Sequence, residues 1–137
     1  MGLILDSSVV VAAERRKDTV EKLIEWVVSV AGDQDAALSA MGVTELAHGI
    51  YRAPTPKIRE QRQAFIDELL RALAVYPYTR ETALLAAKID GEQQARGVTV
   101  PMADLLVGVT ALELGFTVLT INVRHFRLIP DLQIIQI

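Results

Sequence analysis

The pattern of apolar and polar positions along this chain predicts strands that alternate with helices. Short, almost continuously apolar runs are typical of strands buried on both faces of a sheet. They occupy residues 2–5, 36–39, 73–76 and 117–120, with a fifth candidate at 133–136. Between them, apolar residues recur at helical spacing over 7–15, 19–30, 42–52, 57–73, 81–96 and 101–114. This alternation predicts an α/β protein, with a parallel sheet of about five strands flanked by helices on both faces.

Residues that favour helix ends sharpen these boundaries. Ser7 and Ser8 are candidates for capping the first helix, and Gly32, Gly97 and Gly115 stand where helices are expected to stop. The prolines of residues 53–56 predict a loop between two helices. No repeat, low-complexity tract or linker interrupts the pattern, so we expect a single domain over residues 1–137.

Composition excludes several classes of site. Apolar residues make up 51% of the chain and aromatic residues only 5%, so the predicted core is aliphatic. The absence of cysteine excludes disulfides, thiolate zinc sites and a cysteine nucleophile. A net charge of −3 argues against a polybasic binder, although a nucleic-acid enzyme with local basic residues remains compatible with it. No apolar run reaches the roughly 18–20 residues of a membrane span, so we expect a cytoplasmic protein without membrane association.

Three isolated acids carry the candidate chemistry. Asp6 directly follows the first predicted strand, Glu45 follows a stretch of small residues, and Asp104 lies in an otherwise apolar run after Pro101. Burying a carboxylate without a partner is costly. The three acids make sense if they converge on a shared hard cation, and oxygen ligands without cysteine favour Mg²⁺ or Mn²⁺.

The predicted topology gives these acids a common location. Sites in parallel sheets form beyond the carboxyl ends of the strands, and Asn122 follows the fourth strand by two residues. We therefore expect Asn122 and Asp6 to share a crevice if their strands are neighbours. Asp104 falls in the first turn of a helix, where the macrodipole stabilises a carboxylate, and Gly108 is expected to leave room beside it. A cation there could lower the pKa of a bound water and neutralise charge during attack on a phosphodiester.

Each candidate also has a purely structural explanation. Asp6 could be a strand-end acid, Asp104 and Glu45 could serve helix termini, and Asn122 could begin a turn. Three basic clusters could contact phosphates or could be solvated helix faces. They are residues 15–17; Arg52, Lys57, Arg59 and Arg62; and Arg124, His125 and Arg127, of which the last is the best placed because it follows Asn122.

Two further side-chain types were weighed beside the acids. His48 and His125 are expected to be packed or surface histidines rather than proton carriers. Ser7, next to Asp6, is expected to donate a hydrogen bond rather than act as a nucleophile, because no base or nucleophile elbow accompanies it.

Four motifs in order resemble the PIN-domain ribonucleases, in particular the VapC-type toxins of bacterial type II toxin–antitoxin pairs. They are ILDSS at 4–8, TELAHG at 44–49, PMADLL at 101–106 and TINVRHF at 120–126. IPDL at 129–132 is similar to the tail of that family, in which Gly is common in place of Asp131. The resemblance spans essentially the whole chain.

This resemblance implies a three-layer PIN-like fold and a Mg²⁺- or Mn²⁺-dependent endoribonuclease. It implies that Asp6, Glu45 and Asp104 bind the metal, that Asn122 takes the fourth catalytic position, where many members have Asp, and that Thr120 lines the site. Arg124 is then a candidate substrate contact. The expected partners are an RNA substrate, a second copy of the chain in a homodimer, and a cognate antitoxin that occludes the site. The apolar helices between residues 20 and 73 are compatible with a partner surface or with core packing.

Two alternatives remain open from the sequence. One is a receiver-type phosphoacceptor signalling domain, which would need an acid at the end of the third strand, where this chain has Tyr76-Pro77-Tyr78. The other is a non-catalytic PIN-like module that only binds RNA or protein.

Overall fold

A five-stranded parallel sheet forms the centre of the molecule, in the order β3-β2-β1-β4-β5. The strands are β1 (Gly2–Leu5), β2 (Asp35–Ser39), β3 (Ala74–Tyr76), β4 (Thr117–Thr120) and β5 (Ile134–Gln136). Ile4 of β1 pairs with Ala37 of β2 on one side and with Val118 of β4 on the other. The predicted α/β class and parallel sheet are confirmed, and β1 and β4 are neighbours as the shared-crevice prediction requires.

Seven helices complete the fold in this computed structural model, which describes residues 1–137. They are α1 (Ser7–Arg15), α2 (Val20–Ala31), α3 (Ala40–Tyr51), α4 (Pro56–Ala72), α5 (Arg80–Ala95), α6 (Met102–Leu114) and α7 (Val123–Phe126). None of them is long and apolar enough to cross a membrane. Six of the seven match predicted helices to within about two residues, and α7 was not predicted.

Short polar side chains begin four of these helices. Thr19, Ser39, Thr55 and Thr79 each accept a hydrogen bond from a backbone N–H in the following turn, which satisfies a donor that the helix leaves open. The prediction that Ser7 and Ser8 cap α1 was wrong. Asp6 occupies the N-cap position without a side-chain cap bond, and the two serines are the first helical residues. Their hydroxyls are therefore free to serve neighbouring carboxylates.

The sheet separates two aliphatic cores, and β1 contributes to both because its side chains alternate between faces. Leu3 and Leu5 join a cluster built with α1, α2, α3 and α4. Ile4 joins the opposite cluster, built with α5, α6 and the segment around Phe126. Most apolar residues of α2 and α4 pack in the first core, whereas Val28, Val30 and Leu70 are exposed.

The segment after β4 packs on the helix that carries Asp104. Phe126 of α7 is 1% exposed, and Ile129 is also buried. A Cβ added to Gly108 would overlap Ile129 Cδ1 and would lie 3.2 Å from Leu132 Cδ2. The room at Gly108 is therefore filled by this carboxyl-terminal segment, and the expectation of open space beside Asp104 was wrong.

Candidate functional site

A cavity of about 750 Å³ lies beyond the carboxyl ends of β1 and β4. Its lining includes the four residues proposed from the sequence for catalysis, together with Ser7 and Arg124: Asp6, Ser7, Glu45, Asp104, Asn122 and Arg124. These residues come from the β1–α1 junction, α3, α6 and the β4–α7 connection. Thr120 does not line the cavity but contacts Asp6 from β4. The fold thus brings together side chains that are more than a hundred positions apart.

Asp6 is 5% exposed and is fixed by two hydroxyl groups. Ser8 Oγ donates to Asp6 Oδ2 at 2.6 Å, and Thr120 Oγ1 donates to the same oxygen at 2.8 Å. The two hydroxyls in turn accept the backbone N–H groups of Ile121 and Asn122, respectively. Because each hydroxyl has one proton, this network commits both protons to Asp6 Oδ2. No hydrogen bond is made to Asp6 Oδ1.

Asp104 is held from a different element. His125 Nδ1 of α7 lies 2.7 Å from Asp104 Oδ2, which is the only hydrogen bond made to this carboxylate. The Asp104 side chain keeps 23% of its surface exposed and that of His125 keeps 43%. No hydrogen bond is made to Asp104 Oδ1, so again one carboxylate oxygen is held and the other is free.

Glu45 is the acid with the perturbed titration. Burial is the largest cause that raises the pKa of Glu45, and the negative charges of Asp6 and Asp104 raise it further. A hydrogen bond from Ser7 Oγ to Glu45 Oε1, at 3.3 Å, opposes the shift. The mutual influence of the three carboxylates on this pKa indicates that they share one electrostatic environment.

The three acids share one arrangement of donors. In each, one oxygen accepts from a neighbouring side chain and the other has no hydrogen-bond partner. None of these free oxygens is sealed from solvent, because the structure contains no buried side-chain oxygen without a partner. Three carboxylate oxygens and the Asn122 amide oxygen form a hard donor set that fits Mg²⁺ or Mn²⁺.

The acids are not preassembled at metal-ligand spacing, since no group of three His, Asp or Glu side chains stands close enough to hold an ion as placed. Neighbouring carboxylates repel one another when nothing neutralises them. A cation would therefore have to draw the side chains inward. The donor atoms are of the kind that binds Mg²⁺ or Mn²⁺, but the side chains as placed are not close enough together to hold the ion.

Only some of the basic residues reach this cavity. Arg15 and Arg124 line it and form no ion pair or hydrogen bond. Arg16 is instead paired with Asp18 and stacks 3.9 Å above the Trp26 ring. In the second cluster, Arg62 pairs with Glu14 at 2.9 Å and donates to the carbonyl of Gly49. The basic cluster of residues 15–17 therefore contributes one unpaired guanidinium to the cavity, that of Arg15. The cluster of Arg52, Lys57, Arg59 and Arg62 contributes none.

The PIN domain family profile matches residues 3–131, and this range includes all seven site residues proposed from the sequence. The chain belongs to the PIN domain family.

Relatives with established names extend over the full length of this PIN-domain chain. Ribonuclease VapC from Rickettsia bellii is 31% identical over 137 residues, which is 100% of this chain and 97% of that protein. VapBC2 from Rickettsia felis, bound to a DNA fragment from its promoter, has a TM-score of 0.84 at 21% identity and covers 100% of this chain and 99% of that one. VapBC-5 from Mycobacterium tuberculosis, of the VapBC family of toxin-antitoxin systems, has a TM-score of 0.77 at 22% identity and covers 99% and 98%. The two structures show that the fold is shared.

The receiver-type alternative is excluded by the sheet as well as by the family. Receiver domains have the strand order 2-1-3-4-5, whereas this PIN domain has the order 3-2-1-4-5. In addition, no acid follows β3, where Pro77 and Tyr78 stand.

Sequence reasoning missed three side chains of the PIN-domain site. Ser8 donates a hydrogen bond to Asp6, although it was expected to cap α1. Arg15 lines the cavity, although its cluster was not singled out from a solvated helix face. His125 was expected to be a packed or surface histidine and instead contacts Asp104. The sequence offered no local signal for this contact, because it depends on how α7 docks on α6. His48 is exposed and forms no hydrogen bond, as expected.

Proposed function

We propose that this PIN-domain protein is a metal-dependent endoribonuclease toxin that cleaves RNA phosphodiester bonds and is inhibited by a cognate antitoxin. The observation that carries the proposal is the set of three carboxylates around one cavity, each with a solvent-accessible free oxygen. The full-length similarity to a protein named as a ribonuclease supports RNA as the substrate class.

Asp6, Glu45 and Asp104 would hold Mg²⁺ or Mn²⁺, with the amide oxygen of Asn122 in the fourth position. When bound, the ion would supply positive charge that offsets the charge developing on the phosphate. Glu45 would support the ion or would activate the attacking water by accepting its proton. The water oxygen would bond to phosphorus, the bond from phosphorus to the leaving ribose oxygen would break, and that oxygen would take up a proton from solvent. Ser7 would keep Glu45 oriented, and Thr120 would do the same for Asp6.

Arg15 and Arg124 would contact the RNA backbone. Both line the cavity, and neither forms an ion pair with a protein carboxylate. Phosphate oxygens are the partners that free guanidinium groups bind best. Two cations beside an acidic pocket would let a polyanion approach carboxylates that would otherwise repel it.

The remaining partners follow from the relatives. We propose that the antitoxin covers this cavity, since two neighbours in fold are VapBC assemblies and one is described as a toxin-antitoxin system. Co-purification of this chain with the product of an adjacent small gene, and loss of cleavage in that complex, would support the pairing; full cleavage in the complex would refute it. We also propose that the protein is a cytoplasmic homodimer. Residues 1–137 would act as one domain in each copy, because β1 and β5, at the two ends of the chain, belong to one sheet.

A cleavage assay on structured RNA tests the activity. Asp6→Asn and Asp104→Asn should each lower cleavage by at least about 100-fold, because each removes a carboxylate that the ion needs. EDTA should stop the wild-type reaction and Mn²⁺ should restore it. Asp33→Asn is the matched control, since Asp33 is exposed and forms no hydrogen bond or ion pair.

Circular dichroism should show that all three variants are folded. Activity retained in both site variants, or cleavage that resists the chelator, would refute the assignment. Binding of RNA without cleavage at any metal concentration would instead support the non-catalytic PIN-like module.

A further inference from the structure

The only side chain that hydrogen-bonds Asp104 is His125, and the geometry of the pair has a defined direction. Asp104 Oδ2 accepts and His125 Nδ1–H donates across 2.7 Å, because an ionised carboxylate has no proton to give. The bond occupies Oδ2 and leaves Oδ1 without a hydrogen-bond partner, and both residues line the cavity.

The backbone that carries the partly exposed imidazole is anchored by packing. The adjacent Phe126 is 1% exposed in the core between the sheet and α6. Backbone bonds from the N–H of Leu128 to the carbonyl of His125, and from Ile129 to Phe126, continue the turn. A mobile surface ion pair would lose side-chain entropy on forming, whereas here the backbone that carries His125 is already fixed by packing.

The packing that fixes α7 is made on the helix that carries Asp104. Gly108 lies one turn after Asp104 on α6, and Phe126 Cδ1, Ile129 and Leu132 fill the space where a side chain at Gly108 would be. The spacing of four residues places Asp104 and Gly108 on one face of α6. The same docking contact therefore sets the distance between His125 and Asp104.

We propose that His125 is a positioning residue that orients the free oxygen of Asp104 for a divalent cation. This inference rests on the proposed function for its metal site, but it concerns binding rather than cleavage. Asp6 and Glu45 are oriented by hydroxyls, which can rotate, while Asp104 is oriented by a planar ring on a packed segment. Loss of a partner that orients a metal-binding side chain typically lowers metal affinity by about 10–100-fold.

Mn²⁺ binding to the full-length protein without RNA tests the proposal, with free Mn²⁺ followed by electron paramagnetic resonance. His125→Ala should raise the Kd for Mn²⁺ by about 10–100-fold. His125→Asn should recover most of that loss, because its amide N–H can stand near the position of Nδ1. His48→Ala is the control, since His48 is the other histidine, is exposed, and its side chain forms no hydrogen bond or ion pair with the acids. Excess Mn²⁺ should restore cleavage by His125→Ala, since the substitution weakens binding and leaves the reacting groups in place.

Each outcome decides the matter. Wild-type affinity for Mn²⁺ in His125→Ala would overturn the proposal. Equal losses of Mn²⁺ affinity in the Ala and Asn variants, together with a lower melting temperature without metal, would also overturn it, because they would indicate a structural role alone. Undetectable Mn²⁺ binding by the wild type would overturn it too. If the wild type binds Mn²⁺ with the expected dependence on His125 but cleaves no RNA, the proposed ribonuclease function fails and the positioning role stands.

Discussion

At the scale of single residues, the site neutralises none of its own acids with a lysine or arginine. The ion pairs made by lysine and arginine are Arg16–Asp18, Arg62–Glu14 and Lys88–Glu92, and none of them involves the three acids. Asp104 is held by a hydrogen bond with His125. Asp6 and Glu45 are held by neutral hydroxyls instead. Hydroxyls fix geometry without cancelling charge, so the pocket keeps an unbalanced negative potential that a cation can satisfy.

In the metal-free protein, we expect this negative potential to make the ionised Glu45 side chain lower the stability of the fold. Its pKa is raised by burial and by Asp6 and Asp104. A raised native pKa means that the contribution of Glu45 to stability is fully present below its unfolded value of 4.5 and is lost as the pH rises through the native pKa. Glu45→Gln, which cannot ionise, should therefore melt at a higher temperature than the wild type at about pH 7.5.

Thermal unfolding in EDTA measures this difference, which should shrink as the pH falls toward about 4. Glu68→Gln, on the exposed face of α4, is the control and should show no comparable trend. A Glu45→Gln melting temperature that is lower than that of the wild type at neutral pH would mean that the Ser7 hydrogen bond outweighs burial and repulsion.

At the scale of elements, the docking of the carboxyl-terminal segment on α6 depends on a missing side chain. Ile129, Leu132 and Phe126 occupy the surface of Gly108, and this packing completes the core on one side of the sheet. Glycine normally weakens a helix interior by about 0.5–1 kcal/mol relative to alanine. At this position the close approach of another segment explains why the helix tolerates that cost.

Two glycine-to-alanine substitutions should therefore have opposite signs. Gly108→Ala forces Ile129 out of its place in a buried site and should destabilise the protein by about 1–3 kcal/mol. Gly91→Ala, in the middle of α5 with no atom within 4 Å of the added Cβ, should stabilise it by up to about 1 kcal/mol. Urea unfolding of both variants measures the two effects. Equal stabilisation by both substitutions would show that the carboxyl-terminal segment moves away from residue 108 without any loss of stability.

The sequence predicts the long elements well because their apolar periods and caps are local signals. Gly32 and Gly115 end α2 and α6 with positive φ angles of 81° and 70°, as their positions suggested. In contrast, α7 has four residues, which is too few for a helical period to show. Ser7 and Ser8 carried a capping signal, but α1 begins at Ser7 with Asp6 in the N-cap position, and the two hydroxyls bond Glu45 and Asp6 instead.

The site is predictable to the extent that it depends on strand ends. Asp6 and Asn122 follow β1 and β4, so their proximity needed only the strand order. The contact of His125 with Asp104 could not be read in this way, since it depends on how α7 docks on α6. Likewise, nothing in the sequence distinguishes Arg15, which is free at the cavity, from Arg16, which is paired with Asp18.

At the scale of the whole molecule, the cavity lined by the three acids and an apolar groove are formed by different parts of the surface. A groove of about 190 Å³, which we call the α3–α6 groove, has no charged lining residue: Ala40, Met41, Thr44, Tyr78, Leu106 and Thr110. Tyr78 is 50% exposed beside it, in a chain of which 23% of residues are charged. Interface cores are depleted of charge and enriched in Tyr and Met. This surface therefore suits the second copy of the chain better than it suits RNA.

A homodimer through the α3–α6 groove should show in sedimentation velocity as a species of twice the 15.0 kDa mass of one chain. Tyr78→Lys should shift that species to the monomer mass, because a lysine ammonium would be desolvated in an apolar interface. The fold should survive, since half of the Tyr78 side chain is already exposed. Tyr51→Lys, which replaces a 68% exposed tyrosine at the opposite end of α3, should leave the dimer intact. A Tyr78→Lys protein that remains dimeric would place the interface elsewhere, and a monomeric wild type would refute the homodimer.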